Sequence, residues 1–481
     1  LGGRLVTIVL YTLGFFVALP AALLRLGQRA DDELGLAPPL QPLSTAFGGV
    51  LLVGGAALLV RSAWELWQRG KGLPISHLPP ERLVVTGPFH RLRHPIYVAY
   101  TLALSGTGFL LGSWGVGCIA SMLLVAAWTG YAHSIEEPRL LRRFGAEYQR
   151  YAARTQLLPL PRPLVAAAAG GLARSWQALR PAVSWLASHT VLFRIGPALW
   201  VGYGAWLAVG TVIAGWVGLG LLAAGMPAPA VAGYLVGISL AMVIGGRLAW
   251  LAYEYRALRA APGVTLRRVG FVSFGAYAAM FLFALGWSRW HASGLSPGWL
   301  LDRTMAACLL CSGFGRLGCL SYGCCYGRAW RHGICYRDAR AKVVRELGAA
   351  GAEPRVPAQL LSALLAFAVA LAMLLLLGLG AAPGFATALG ALCYALARFH
   401  AEALREERRL LDGRLTRGQL LSMSIAAAAL GWLAFAPPGA VTHSGLTFAW
   451  AALGQHLAMP LVAALPVFLI CGYHRAAVGQ W

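Results

Sequence analysis

Residues 357–380 read PAQLLSALLAFAVALAMLLLLGLG, a stretch without a charged side chain. A helix needs about 20 predominantly apolar residues to cross a hydrocarbon core of about 30 Å, so this stretch is long enough to span a membrane once. Similar apolar runs recur near residues 4–24, 44–63, 96–112, 115–133, 195–225, 228–252, 269–288, 299–318, 383–400, 418–437 and 447–472. We predict an all-α, polytopic integral membrane protein with about eleven or twelve apolar spans in two helical-bundle modules.

The composition supports a membrane protein. Hydrophobic residues make up 58% of the chain and charged residues only 12%, whereas a soluble domain carries about 25% charged residues. The net charge is +23, from 40 basic and 17 acidic side chains. The basic residues flank apolar runs instead of forming one polar face. This pattern favours contact with anionic lipid and argues against a nucleic-acid partner.

The chain divides into two predicted modules, residues 1–162 and residues 193–481. Between them, residues 163–192 follow a proline-rich stretch and contain an amphipathic segment with Trp176 and Trp185. This composition is typical of a linker with an interfacial helix.

The charge pattern also predicts an orientation. The basic segments 61–93 and 139–162 fall on the same side if residues 96–112 and 115–133 form a hairpin, and the positive-inside rule places both in the cytoplasm. The first apolar run has no small-residue cleavage pattern, so we expect no cleavable signal peptide.

The first motif that could form a functional site is TGPFHRLRHPIY at residues 86–97, directly before an apolar run. Gly87-Pro88 indicates a turn, and Pro95 suits the first turn of a helix, which places His94 at a helix start on the membrane surface.

Its partner is HSIEEP at residues 133–138, at the end of the next span. The adjacent carboxylates of Glu136 and Glu137 are costly there unless they are hydrated or paired, and a cationic small molecule would pair them. The alternative is that Arg93 and Arg139 form interfacial ion pairs with them.

The ordered series GPF (87–89), RHPIY (93–97), EE (136–137) and FGAEYQRY (144–151) resembles the isoprenylcysteine carboxyl methyltransferase and phospholipid methyltransferase family over about residues 45–162. The resemblance implies binding of S-adenosylmethionine from the cytosol and a methyl acceptor that enters from the bilayer. It also implies a donor-binding site formed by Arg93, His94, Pro95, Tyr97, Glu136 and Glu137.

Two further motifs lie in the second module. GFGRLGCLSYGCCYGR occupies residues 313–328, and its five glycines predict a broken or re-entrant helix in which the backbone approaches a ligand closely. YALARFHAEALR occupies residues 394–405, where the spacing places Tyr394, Arg398, Glu402 and Arg405 on one helix face. Guanidinium groups suit bidentate phosphate recognition. The alternative is an Arg398–Glu402 ion pair that only tethers a helix end.

These motifs, with IGP at 195–197, GGR at 245–247, PAQL at 357–360 and GQLLS at 418–422, resemble the prolipoprotein diacylglyceryl transferases over roughly residues 193–440. The resemblance implies transfer of diacylglyceryl from phosphatidylglycerol to a lipobox cysteine thiol, with release of glycerol phosphate. Arg316 and Arg398 would hold the phosphate, and Tyr203 and Glu402 would orient them. The remaining substrate-site residues implied are Arg247, Gly327, Tyr394, Arg405 and Gln359.

The sequence departs from that family at three places. Cys319 replaces an asparagine, Tyr322-Gly323-Cys324 replaces Asn-Gly-Glu, and Ser273-Phe274-Gly275-Ala276 replaces a His-Gly-Gly segment. A related acyl- or glyceryl-lipid transfer and a binding role therefore stay open.

Six of the nine cysteines lie between Cys308 and Cys335. They have three alternative interpretations: buried small residues, disulfides such as one involving Cys325 and Cys335, or a metal site at Cys308-x-x-Cys311. We assign no metal ligand among them. One of Cys319, Cys324 or Cys325 could also be a covalent acceptor.

Together these motifs predict a bifunctional lipid-modifying transferase of the bacterial inner membrane that crosses the bilayer several times. Its expected partners are phosphatidylglycerol, the bilayer and a lipoprotein precursor, and its expected cosubstrate is S-adenosylmethionine. The alternatives are that only one module is catalytic, or that the protein is a lipid-binding carrier. A carrier is expected to show spread intramembrane charges or inverted repeats.

Overall fold

The computed structural model describes residues 12–71, 80–267, 270–291, 296–406, 415–436 and 455–475. Parts of four predicted apolar runs, residues 4–11, 269, 437 and 447–454, lie outside these described residues. By packing, the chain forms two compact units: unit 1 comprises Leu1–Ala173 and Arg408–Pro438, and unit 2 comprises Arg174–Glu407 and Gly439–Trp481. The two modules proposed from the sequence, residues 1–162 and 193–481, were defined by motifs and not by packing, so their boundaries stay a prediction.

Unit 1 is helical. Its helices are α1 (Leu19–Leu34), α2 (Leu43–Gly70), α3 (Pro95–Leu110), α4 (Ser121–Tyr131), α5 (Glu137–Arg154) and α16 (Arg417–Phe435), and the boundary at residue 173 falls within α6 (Arg162–Ala187). Three π-helical segments, Gly14–Ala18, Gly115–Ala120 and Ala132–Glu136, and a 3₁₀ turn, Gly87–His90, complete it.

Unit 2 contains the other described helices. They are α7 (Gly202–Ala223), α8 (Ala228–Tyr253), α9 (Tyr255–Ala260), α10 (Pro262–Arg267), α11 (Ser273–Trp290), α12 (Pro297–Tyr322), α13 (Lys342–Leu347), α14 (Ala358–Gly378), α15 (Phe385–Ala403) and α17 (Ala458–Gly472), with a 3₁₀ turn at Gly348–Ala352. Its strands are short: β1 (Val191–Ile195), β2 (Ala198–Val201), β3 (Ala329–Ile334) and β4 (Tyr473–Arg475). Strands β1, β2 and β4 pair antiparallel in that order.

The all-α polytopic fold predicted from the apolar runs is confirmed. Among the described residues, seven helical segments are long and apolar enough to cross a membrane: Leu43–Gly70, Gly115–Arg154, Gly202–Leu222, Ala228–Tyr253, Pro297–Tyr322, Ala358–Gly378 and Arg417–Phe435. Two more apolar helices, Pro95–Leu110 and Ala458–Gly472, are shorter. The predicted run at 195–225 begins as the β1–β2 hairpin, and only its later part is the helix α7.

Helix α12 is the centre of unit 2. It packs against α7 on one side and α14 on another, and also contacts α11 and α15. Most of its length is buried, including the charged residues Asp302, Arg303 and Arg316. The segment that carries the first C-terminal motif is therefore held by helices from across the unit.

The prediction that the glycine-rich motif breaks the helix is wrong over residues 313–322. Helix α12 runs without interruption through Gly313 and Gly318 and ends at Gly323, whose φ is +74°. A Cβ at Gly313 would overlap the ring of Phe367, and one at Gly318 would lie 3.0 Å from the carbonyl oxygen of Tyr203. These glycines thus allow close helix packing, as small residues do in membrane bundles.

Candidate active sites

In unit 1 the turn that precedes α3 is fixed by a buried carboxylate that the sequence interpretation missed. Thr86 Oγ1 donates to Glu65 Oε2 at 2.8 Å, and Glu65 also pairs with Arg61 at 2.9 Å and Arg69 at 3.0 Å. Gly87 has a φ of +58°, and a Cβ there would lie 2.8 Å from the Glu65 side chain. The available signal was the Arg-Glu-Arg spacing of four residues along α2.

The same turn is held from the other side by the end of α5. The Arg93 amide donates to the Gln156 carbonyl at 2.9 Å, and the Gln156 amide donates to the Arg91 carbonyl at 2.9 Å. Tyr151 Oη donates to the Phe89 carbonyl at 2.9 Å. Residues 86–94 therefore have a defined backbone, with Pro95 as the first residue of α3.

The structure brings the six predicted donor-site residues into one cluster. Arg93 Nη1 donates to Glu137 Oε1 at 2.7 Å, and Tyr97 Oη donates to Glu136 Oε2 at 2.7 Å. His94 lies between the carboxylates, with Nδ1 3.5 Å from Glu136 Oε2 and Nε2 3.6 Å from Glu137 Oε1. The alternative of an ion pair at Arg93 is thus also observed, so the cluster is partly neutralised from within.

A π-helical segment, Ala132–Glu136, immediately precedes Glu137. Such segments widen the helical turn and recur at functional sites. The aromatic rings of Tyr97 and Trp128 stack with centroids 5.6 Å apart and form an apolar wall next to the carboxylates.

His94 is buried, and the carboxylates of Glu136 and Glu137 change the pKa of its imidazole. Burial alone lowers the pKa of this imidazole, but its interactions with Glu136 and Glu137 outweigh burial and raise the pKa to about 9. His94 is therefore mainly protonated at neutral pH, and the cluster contains cations and anions in close alternation.

In unit 2 a cavity of about 220 Å³ opens beside α12. Its lining residues include Arg316, Tyr203, Tyr277 and Ser312. Five cysteines also line it: Cys308, Cys311, Cys319, Cys324 and Cys325. Arg316 is 7% exposed and forms no ion pair with a carboxylate among the described residues. A buried guanidinium without a carboxylate partner that lines a cavity favours an anionic ligand.

Hydroxyl groups connect α12 to α11 and α15. Tyr277 Oη donates to Ser312 Oγ at 2.7 Å, and Ser312 Oγ is 2.9 Å from Tyr394 Oη. Arg316 and Arg398 both act electrostatically on the Tyr394 hydroxyl. Both arginines therefore lie within electrostatic reach of this hydroxyl, although Arg398 is not among the residues that line the cavity. Ser312 and Tyr277 were not predicted, because an isolated serine or tyrosine in an apolar run carries no signal.

Arg398 pairs with a buried carboxylate, that of Glu402, which is 2% exposed. Arg398 Nη2 lies 3.4 Å from Glu402 Oε2, so the predicted alternative of an ion pair is present. Arg398 also lies over the Phe274 ring, with 5.0 Å between the guanidinium carbon and the ring centroid. Its Nε is buried and has no hydrogen-bond partner among the described residues.

Three other predicted residues lie outside the cavity lining. Arg247 lies 4.6 Å from the centroid of Trp250 and donates to the Leu266 carbonyl at 2.8 Å. Gly327 allows close approach, since a Cβ there would overlap the Val356 carbonyl oxygen. Gln359 Nε2 donates to the Cys324 carbonyl at 2.8 Å, so it supports the wall of the cavity from α14.

All nine cysteines lie in the described part of the chain and are free thiols. Cys308 and Cys311 are buried, with their sulfurs 3.5 Å from Met280 Sδ and 3.8 Å from Met242 Sδ, which supports their interpretation as core residues. The alternative of a disulfide between Cys325 and Cys335 is not observed.

The fold and these two clusters define an integral membrane transferase, and comparison with known proteins supports this class. The family model described as prolipoprotein diacylglyceryl transferase matches residues 190–435, which is more than half of the chain. The chain belongs to the prolipoprotein diacylglyceryl transferase family. A second family model, phospholipid methyltransferase, matches residues 43–147. Both resemblances found in the sequence are thereby confirmed.

Two curated relatives agree with this family. The chain is 29% identical over 191 residues to phosphatidylglycerol–prolipoprotein diacylglyceryl transferase 2 of Clostridium perfringens. The aligned region covers 38% of this chain and 70% of the relative. It is also 40% identical over 76 residues to phosphatidylglycerol–prolipoprotein diacylglyceryl transferase of Dehalococcoides mccartyi. That aligned region covers 16% of this chain and 28% of the relative.

Proposed function

We propose that this chain is a bifunctional lipid-modifying enzyme of the bacterial inner membrane. Its unit 2 site transfers diacylglyceryl from phosphatidylglycerol to a cysteine thiol of a lipoprotein precursor. Its unit 1 site methylates a lipid or lipidated acceptor with S-adenosylmethionine as donor. The single observation that carries the transfer is Arg316, a buried cation that lines a cavity and has no carboxylate partner among the described residues.

In this proposal Arg316 binds the lipid phosphate and stabilises the charge that develops on the leaving glycerol phosphate. Arg398 acts electrostatically on the Tyr394 hydroxyl, and Glu402 pairs with Arg398 at 3.4 Å. Tyr203 lines the cavity and lies within electrostatic reach of Arg316. The apolar residues of the cavity suit the acyl chains of the donor.

The transfer is tested with purified protein in phosphatidylglycerol vesicles and a cysteine-containing lipobox peptide. We expect a thioether-linked diacylglyceryl peptide by mass spectrometry, and a rate at least about 100-fold lower for Arg316→Gln. Arg328→Gln, an exposed arginine of the same unit, is the matched control and should retain the wild-type rate. Equal rates for Arg316→Gln and Arg328→Gln would contradict the role of Arg316.

The residues of the unit 1 cluster fit a zwitterionic sulfonium donor. Glu136 and Glu137 suit its cationic groups or ribose hydroxyls, and Arg93 suits its carboxylate. The buried Nε2 of His94 lies 3.6 Å from Glu137 Oε1 and makes no closer hydrogen bond among the described residues, so its hydrogen-bonding capacity is incompletely used. When bound, the donor supplies the methyl group, while the chain binds and orients it.

Donor binding is tested separately from transfer. We expect Glu136→Gln to weaken binding of S-adenosylmethionine about 10-fold in calorimetry, since a charge-assisted contact contributes roughly 1.5–3 kcal/mol. The exposed Glu147→Gln on the same helix is the control. Incubation with methyl-labelled donor should leave label on a membrane product, whereas a carrier would leave none.

A further inference from the structure

Three cysteines form a compact cluster at the end of α12. Cys319 lies in the last turn of that helix, and Cys324 and Cys325 follow its final residue. The three sulfur atoms all lie within 4.8 Å of one another. Cys319 and Cys324 are buried and Cys325 is partly buried. All three line the cavity that also contains Arg316.

The backbone is arranged to aim adjacent cysteines at the same point. In an extended chain, neighbouring side chains face opposite directions. Here Gly323 ends the helix at a φ of +74°, and Cys325 has a φ of +55°, which few non-glycine residues adopt. Gln359 holds this bend, because its Nε2 donates to the Cys324 carbonyl at 2.8 Å and to Tyr336 Oη at 2.9 Å.

This geometry suits a thiophilic metal ion. Zinc binds thiolates at about 2.3 Å in a tetrahedron, which places the ligand sulfurs about 3.8 Å apart. Three sulfurs already within 4.8 Å reach that spacing with small side-chain rotations. Arg316 and Arg405 act electrostatically on Cys325, so they offset the negative charge of a zinc–thiolate centre.

Three protein ligands leave a fourth position, and the ligands face the cavity. The acceptor thiol of the proposed transfer must lose a proton to react, and a free cysteine has a pKa of about 8.5. Among the described residues that line the cavity, none is a histidine, aspartate or glutamate. A metal-bound thiol is deprotonated outright.

We propose that Cys319, Cys324 and Cys325 bind one Zn²⁺ ion, and that the open fourth position of this ion takes the acceptor thiol as a thiolate. The metal site is inferred from the geometry of the three cysteines, whereas the delivery of the acceptor thiol rests on the proposed transfer function. Zinc binding releases the three cysteine protons to solvent, and the acceptor thiol releases its own on coordination. Its sulfur lone pair then forms the C–S bond to the glyceryl carbon. The C–O bond to phosphate breaks, and its electron pair leaves with glycerol phosphate beside Arg316.

Metal binding is tested without substrate on the full-length protein, purified in detergent under reducing conditions. We expect one Zn²⁺ per chain by mass spectrometry. With Co²⁺ as the probe, thiolate charge-transfer and tetrahedral d–d bands should appear. Each of Cys319→Ala, Cys324→Ala and Cys325→Ala should lower the affinity at least about 10-fold. Cys471→Ala, which removes a buried free thiol outside the cluster, should bind as the wild type does.

Three results would overturn the site: no stoichiometric Co²⁺ spectrum in the wild type, equal loss in Cys471→Ala, or retention in all three cluster variants. Because a variant can misfold, its melting temperature is measured beside the wild type, and the wild-type spectrum decides independently of any variant.

The delivery step is tested by comparing zinc-loaded and chelated enzyme in the transfer assay. At pH 7 only about 3% of a free thiol with a pKa of about 8.5 is ionised, so zinc should raise the rate up to about 30-fold and flatten its rise toward pH 8.5. Equal rates and pH profiles with and without zinc overturn the delivery step. Zinc binding without transfer in any form overturns the proposed function and the delivery step with it, while the binding result stands.

Discussion

Arg405 Nη1 donates to both carboxylate oxygens of Glu402, at 2.9 Å to Oε1 and 2.8 Å to Oε2. Glu402 lies in the last turn of α15, and Arg405 lies just beyond the helix end. The same carboxylate is 3.4 Å from Arg398 Nη2. One buried anion therefore holds two guanidinium groups.

Glu402→Gln should lower both stability and transfer, because it leaves two buried cations without their shared anion. Breaking a buried pair costs about 3–5 kcal/mol of unfolding free energy. Thermal unfolding in detergent and the peptide transfer assay measure the two effects. The control is Glu346→Gln, whose carboxylate is 47% exposed and 3.7 Å from Lys342; it should cost less than about 1 kcal/mol. Equal costs would show that Glu402 is not a structural anion.

Tyr394→Phe should slow transfer about 10-fold, because both Arg316 and Arg398 act electrostatically on its hydroxyl. The matched control is Tyr234→Phe, which also removes a buried hydroxyl contact, 2.7 Å from Thr304 Oγ1. Both variants lose about 1 kcal/mol of hydrogen bonding. A reduced rate only in Tyr394→Phe supports a role in the site, and parallel losses in both point to stability alone.

Gly87→Ala should destabilise unit 1 by about 1–3 kcal/mol. The substitution adds a Cβ at a φ of +58° and 2.8 Å from Glu65, so it strains the turn that carries His94. Gly49→Ala is the control, since no atom lies within 4 Å of its added Cβ. Differential scanning fluorimetry measures the melting temperature of each variant. The prediction fails if both variants have the melting temperature of the wild type.

The stability of unit 1 should fall as pH rises through about 9. The pKa of His94 is raised in the folded state from 6.5 to about 9. Its stabilisation is therefore complete below about pH 6.5 and is lost as pH increases through the folded pKa. The charged or titratable groups around it include Arg93, Tyr97, His133, Glu136 and Glu137.

The measurement is the melting temperature of the wild type and His94→Gln between pH 6 and pH 10. The two melting temperatures should converge as pH rises. His332→Gln, an exposed histidine of unit 2, should keep a constant offset from the wild type. A constant offset for His94→Gln would contradict the prediction.

The apolar runs predicted helical membrane spans because span length and composition are local properties of the chain. Ordered motifs likewise indicated Arg316, Arg398 and the Arg93–Glu137 cluster, because the residue types and their spacing are local too. The glycine-rich motif marks the limit of such local patterns. The helix continues through it. The glycines serve packing instead, because Phe367 and Tyr203 occupy the space that side chains would need.

Composition and the order of the motifs alone determined that the chain is an all-helical membrane protein. They also predicted two sites with arginine and carboxylate side chains. Only the tertiary structure decided which side chains meet. It placed Ser312 between Tyr277 and Tyr394, placed Arg247 against the Trp250 ring, and brought the sulfurs of Cys319, Cys324 and Cys325 within 4.8 Å of one another. The physical reason is that these contacts join helices distant in sequence, and their register depends on close packing at small residues that no local pattern encodes.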